Sequence, residues 1–145
     1  MNQLTFIFVA TAMTLLCLSL QAGFGVYAVQ FSRRFVARTD AARPALWRFW
    51  GIALMLLILT LGNFLQIIVW ALLYLYLGEF DHFNDAFYFS GVTFTSLGYG
   101  DVTLSLAHRG LSPVEAANGL MMFGVSTAIL FAVIQNHRPG DHPGL

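Results

Sequence analysis

The chain has 145 residues, 58% hydrophobic and only 10% charged, with seven basic against seven acidic side chains and a mean hydropathy of +0.72. That composition excludes an ordinary soluble domain of this size; a net formal charge of zero by itself says nothing about nucleic acid, which is not among the expected partners. Charge is absent from 1–30, 49–78 and 116–136, and each of these runs reaches the roughly 20 apolar residues that cross a hydrocarbon core, so the expected fold class is an all-α membrane protein with three transmembrane helices.

The first helix is expected over 1–31. It lacks a positively charged leading region, and its apolar run continues past any cleavage point near Ser19-Leu20-Gln21-Ala22, so it reads as a retained span rather than a signal peptide. The single cysteine, Cys17, lies inside it and has no partner for an internal disulfide. A basic connector, 32–48, follows. Arg33, Arg34, Arg38, Arg43 and Arg48 face only Asp40, five positive charges against one negative, a local balance of +4. The positive-inside rule makes this connector cytoplasmic, which puts the N-terminus outside and the C-terminus inside a cell membrane. Arg34 and Arg38 are four apart, but a voltage sensor needs such residues within the membrane, so these read as topology determinants and headgroup contacts.

The second helix is expected over 49–78. Its 30 residues would be about 45 Å long against a hydrocarbon core of about 30 Å, which requires tilt or projection. Trp47 and Trp50 beside Arg48 suit interfacial anchors, while Trp70 suits a packing surface. Beyond it, a shorter helix is expected over 84–95, capped by Asn84 or Asp85. It is too short to span and suits a re-entrant segment, whose C-terminal end would present the negative pole of its dipole at mid-membrane.

The segment 96–101 then reads Ser96-Leu97-Gly98-Tyr99-Gly100-Asp101, with Thr95 before it. Removing a cation from water is prohibitive unless other oxygens replace its hydration shell, and consecutive backbone carbonyls can supply them. Glycines alternating with side-chain-bearing residues can adopt angles that turn successive carbonyls to one side. Glu79, Asp81, Asp85 and Asp101 would concentrate cations at the outer mouth, and His82 and His108 read as solvated loop histidines. The third spanning helix is expected over 113–136, opened by Ser112-Pro113 with Glu115 as a first-turn acid. Leu120, Phe123, Thr127 and Phe131 share one face of it. Gly119 and Gly124 mark either a bend or close helix packing. The breaker-rich end, 137–145, reads as a disordered cytoplasmic tail.

From about Trp47 to Gln135 these residues resemble the pore module of potassium channels, in which outer helix, pore helix, Thr-x-Gly-Tyr-Gly filter and inner helix follow in that order. The resemblance is carried by Gly98-Tyr99-Gly100-Asp101, by Tyr88, Phe89, Thr93 and Thr95 of the pore helix, and by Gly119-x-x-x-Phe123-Gly124-x-x-Thr127. It is closest to small prokaryotic versions with an extra leading helix. The resemblance implies a homotetramer, in which three further copies complete a ring around permeant K+. It also implies that Ser96 lends hydroxyl and carbonyl to the innermost ion site, and that Leu97, Gly98 and Tyr99 lend carbonyls further out. Gly100 would close the outer end. Asp101 would brace the filter from behind through the Tyr88 hydroxyl, Gly119 would be a hinge, and Phe123, Gly124 and Thr127 would line the cavity below. This chain departs from the pattern at three places: serine replaces threonine at 96, leucine replaces valine at 97, and Phe89 stands where many members carry tryptophan.

The function expected is passive, potassium-selective conduction. The alternatives are a non-conducting or regulatory membrane subunit and a weakly selective cation channel; a transporter-type uptake subunit would carry four pore repeats rather than one. No nucleotide-binding loop, nucleophile elbow or intramembrane carboxylate pair is present in the sequence, so neither enzymatic activity nor a cofactor is expected.

Overall fold

A computed structural model describes residues 2–37 and 45–135. These form four helices in chain order: α1 (Gln3–Ala37), α2 (Ala45–Tyr76), α3 (Phe83–Phe94) and α4 (Leu111–Gln135), and no strand occurs among the described residues. Three of the helices contain stretches long and apolar enough to cross a membrane, Gln3–Ser32, Phe49–Tyr76 and Leu111–Gln135. The protein is thus an all-helical, multi-pass membrane protein. Most of the basic connector and the C-terminal tail, including Arg38, Asp40, Arg43 and 137–145, lie outside the described residues.

Helix ends differ from the sequence expectations in informative ways. α1 runs to Ala37 rather than 31, because Arg33 and Arg34 mark the edge of the apolar run, whereas nothing in Phe31–Ala37 opposes helical backbone. α2 begins at Ala45, immediately after Pro44, and ends at Tyr76 rather than 78. Gly78, at φ 71°, closes it. The Gly78 amide donates to Leu75 and the Glu79 amide to Tyr74, the paired bonds of a Schellman turn that a left-handed glycine permits. Asn84 and Asp85 do not cap α3. The helix starts at Phe83 after an extended His82 that makes no side-chain capping bond, and stacking of Phe83 on Phe87, one turn apart, secures its first turn. α4 starts at Leu111, not at Pro113. The turns through Ser105, His108 and Arg109 feed directly into it, so Ser112 is already helical and the missing amide of Pro113 falls where no intrahelical partner exists.

The core lies where α1, α2, α3 and α4 meet. Cys17, Trp70, Tyr74, Phe94, Leu111 and Met122 are fully buried there, and Phe89 packs edge-on against Tyr74 at 5.2 Å. Trp70 is thus a packing residue, while Trp47 and Trp50 are exposed towards the start of α2. A polar chain crosses the apolar interior. The Gln66 amide donates to Gln21 at 2.7 Å, the Gln21 amide donates to Ser126 at 2.7 Å, and Ser126 donates to the Met122 carbonyl at 2.9 Å. It joins α1, α2 and α4. Small residues let the helices close around it: a Cβ at Gly62 would lie 3.0 Å from the Phe24 ring, and one at Gly25 2.6 Å from Ile129.

Substituting Gln21→Leu removes the middle of that chain and strands the Gln66 donor. Interhelical polar contacts in membranes contribute on the order of 0.6 to 1.7 kcal/mol, so the variant should lose about 1 kcal/mol of stability. Thermal unfolding of the purified protein in detergent measures this, and an unchanged midpoint would contradict the bracing role of α1.

Candidate functional site

α3 enters its C-terminal turn at Gly91 and then stops being regular, yet its last carbonyls remain occupied. Thr95 donates its amide, and at 2.7 Å its hydroxyl, to Gly91, while Ser96 donates to Thr93. The Val92 carbonyl accepts both the Leu97 amide at 3.0 Å and the Gly98 amide at 3.2 Å. The segment that follows is therefore tied to the helix end at its base only. Beyond that fork, Ser96, Gly98 and Gly100 have φ of 58°, 57° and 76°, while Leu97 and Tyr99 between them keep the ordinary sign. Alternating handedness turns successive peptide carbonyls towards the same side. Among the described residues, the backbone carbonyls of 96–100 accept no hydrogen bond from the chain. All five residues are exposed, Tyr99 to 66%.

On the exposed flank of α3, the Tyr88 hydroxyl donates to Asp101 at 2.7 Å, and the second Asp101 oxygen accepts the Val102 amide at 3.0 Å. The phenol holds the Asp101 carboxyl below its usual range, and the carboxylate raises the Tyr88 phenol. Phe89 faces the opposite way. It is buried against Tyr74 and Phe80 of the same chain, so this ring steadies α3 from inside. Thr93 is buried near the C-terminal end of α3.

Glu79 has a different job from that of a free mouth charge. It accepts the Ser105 amide at 2.7 Å and the Ser105 hydroxyl at 2.6 Å, and His108 Nδ1 lies 2.5 Å from it. Burial opposes its charge, but the Ser105 bonds and His108 outweigh burial and hold its carboxyl below the ordinary value of 4.5. His108 is correspondingly half-buried rather than solvated. Asp81, Asp85, Asp101 and His82 remain exposed.

Below the loop, α4 presses on the end of α3. A Cβ at Gly119 would fall 1.8 Å from the Phe94 carbonyl oxygen, whereas one at Gly124 would meet nothing within 4 Å. Phe94 and Phe123 also touch edge-to-face at 5.8 Å. Leu120, Phe123, Thr127 and Phe131 are all exposed on α4, and Thr127 bonds back to the Phe123 carbonyl. Thr95, Asn63, Phe123, Ser126 and Thr127 line a cavity of about 260 Å³ beneath the loop, in which the buried Asn63 Oδ1 has no partner.

The residue that the sequence reading missed is Glu115. Placed there as a first-turn acid, it is instead fully buried, accepting from the Tyr74 hydroxyl of α2 at 2.6 Å and contacting the Ser90 hydroxyl of α3. The available signal was its position: the only acid between Ser112 and the charge-free run of the last helix. Among the described residues, no group of three or more His, Cys, Asp or Glu side chains could hold a metal ion.

A family model described as ion channel matches residues 64–136, slightly more than half of the chain. No similar protein was found among curated sequences, and none among solved structures.

Two predictions follow from the packing and charge of this region. Gly119→Ala forces a methyl into a backbone oxygen and should cost about 1 to 3 kcal/mol, whereas Gly124→Ala, inside a helix with open space around it, should be neutral or stabilise by up to about 1 kcal/mol in the same unfolding measurement. For Glu79 the folded carboxyl is lowered, so its bonds stabilise the fold fully above pH 4.5 and are lost as pH falls through the depressed value. The stability gap between wild type and Glu79→Gln should close on acidification; a gap that widens would refute the assignment.

Proposed function

This chain belongs to the ion channel family, and from that premise we propose that it conducts K+ passively and selectively through a pore formed by four copies. The observation that carries the proposal is the segment 96–100, with left-handed residues at every second position and carbonyls that take nothing from their own chain. Backbone carbonyls at membrane depth require partners. A partly dehydrated cation is a suitable one, and a ring of such segments surrounds it with enough oxygens to replace water.

In this reading the carbonyls of Ser96, Leu97, Gly98 and Tyr99 form successive ion sites, with the Ser96 hydroxyl at the inner end and Gly100 at the outer. The loop would face the cell exterior and the C-terminus the cytoplasm. Tyr88 and Asp101 brace the outer half, the Val92 fork anchors the base, and Thr93 and Thr95 complete the turn between them. Phe123 and Thr127 line the cavity below, on the exposed face of α4 that three further copies would complete around the axis. Asp81, Asp85 and Asp101, exposed on the outer loops, raise the local cation concentration. Gly124, unpacked, is the freer of the two glycines to bend, while Gly119 as a hinge would have to swing away from Phe94.

Reconstitution into liposomes tests the reading directly. Wild type should form a tetramer by chemical cross-linking and carry K+ in preference to Na+, as measured by reversal potentials in opposing gradients. Gly98→Ala, which places a Cβ on a left-handed residue, should abolish the preference or the current. Equal permeability to both ions would favour a weakly selective cation channel, and a tetramer without flux would favour a non-conducting subunit.

A further inference from the structure

Glu115 is an acid in the interior of a membrane protein, and among the described residues no cation pairs with it, the ion pair formed there being that of His108 with Glu79. The groups bonded to it are a phenol and a hydroxyl. Tyr74 from α2 and Cys17 from α1 are the titratable side chains that a charge on it would reach, and α3 contributes Ser90, which does not titrate. Glu79, in the turn beyond α2, acts on Tyr74.

Counting protons decides what state this cluster requires. The Ser90 oxygen is within hydrogen-bonding reach of two acceptors, the Ile67 carbonyl of α2 at 2.9 Å and Glu115 Oε1. A hydroxyl has one proton, and the Ile67 carbonyl can only accept. Were Glu115 ionised, one of those two contacts would hold two oxygens together with no hydrogen between them. A protonated Glu115 removes the conflict. Its hydroxyl donates to Ser90, Ser90 donates to Ile67, and Tyr74 donates to Glu115 Oε2, giving three protons for three contacts. A neutral acid also avoids the large desolvation cost of an unpaired carboxylate.

We propose that Glu115 is a neutral carboxylic acid whose proton locks α3 between α2 and α4, making it a positioning residue for the filter. The chain Tyr74 to Glu115 to Ser90 to Ile67 fixes the rotation of α3 one residue before Gly91, where the bonds that anchor the loop begin. The effect on the filter rests on the pore reading above; the protonation state does not.

Infrared spectroscopy of the full-length protein in nanodiscs at neutral pH separates the two. Wild type should show the carbonyl stretch of a protonated carboxylic acid, and Glu115→Gln should lack it. The glutamine amide supplies one donor to Ser90 and one acceptor to Tyr74, so E115Q should keep the K+ over Na+ permeability ratio within about twofold of wild type. Glu115→Leu supplies neither and should lower it by about tenfold, the effect of one unmade buried hydrogen bond. Ser90→Ala, which breaks the same chain from α3 with a smaller change in volume, should do likewise and covers the case in which E115L does not fold. Absence of the acid band, or an E115Q variant that behaves like E115L, overturns the proposal. An acid band in a wild-type protein that carries no current upholds the neutral acid while overturning its role at a filter.

Discussion

The carbonyl oxygen of Val92 accepts two backbone amides, from Leu97 and Gly98, and the placement of the loop beyond it depends on that fork. Helix ends leave their last carbonyls unpaired, and each needs a donor from elsewhere. The chain answers by folding its own next residues back onto the end of α3. Doing so consumes amides and leaves the carbonyls of 96–100 without a donor from the described chain. The stretch is thereby anchored through its donors and open through its acceptors.

Rigid support for that arrangement comes from three directions. On the outer side, Tyr88 and Asp101 hold the loop to the exposed flank of α3, while Glu79 gathers Ser105 and His108 so that the return chain enters α4 without a break. On the inner side, the Phe94 carbonyl sits so close to Gly119 that no other side chain fits. Behind both, α1 is built into the fold rather than appended to it: its Gln21 is the middle of the polar chain that joins α2 to α4. A leading helix of this kind limits how far α4 can move relative to α2, because movement there must break side-chain hydrogen bonds in an apolar setting.

How much of this was legible in the sequence depends on the kind of signal. Charge-free runs identified all three spanning helices, since length and apolarity alone decide membrane insertion. Gly98 and Gly100 announced left-handed backbone because few other residues adopt it. Helix boundaries were misplaced wherever a local cue was outvoted by tertiary structure: Asn84 and Asp85 look like caps, yet α3 begins before both, and Ser112-Pro113 looks like a start, yet buried Leu111 is already helical. Glu115 was misread for the same reason. An acid near a helix start has a surface explanation ready, and only the approach of Tyr74 and Ser90 from two other helices reveals that it is interior. Gln21 and Gln66 gave no periodic signal at all, because a single amide within an apolar run is legible only once its partner is known.

Ser96 occupies the left-handed region, at φ 58°, although it has a Cβ. A β-branched side chain is a far poorer occupant of that region than serine. The backbone therefore narrows the chemical choice at this position: a hydroxyl is admitted, but the extra methyl of threonine is penalised. The residue present and the torsion it adopts are thus mutually consistent. A threonine introduced at position 96 would have to remodel the peptide plane first, by relaxing the turn that leaves Thr95.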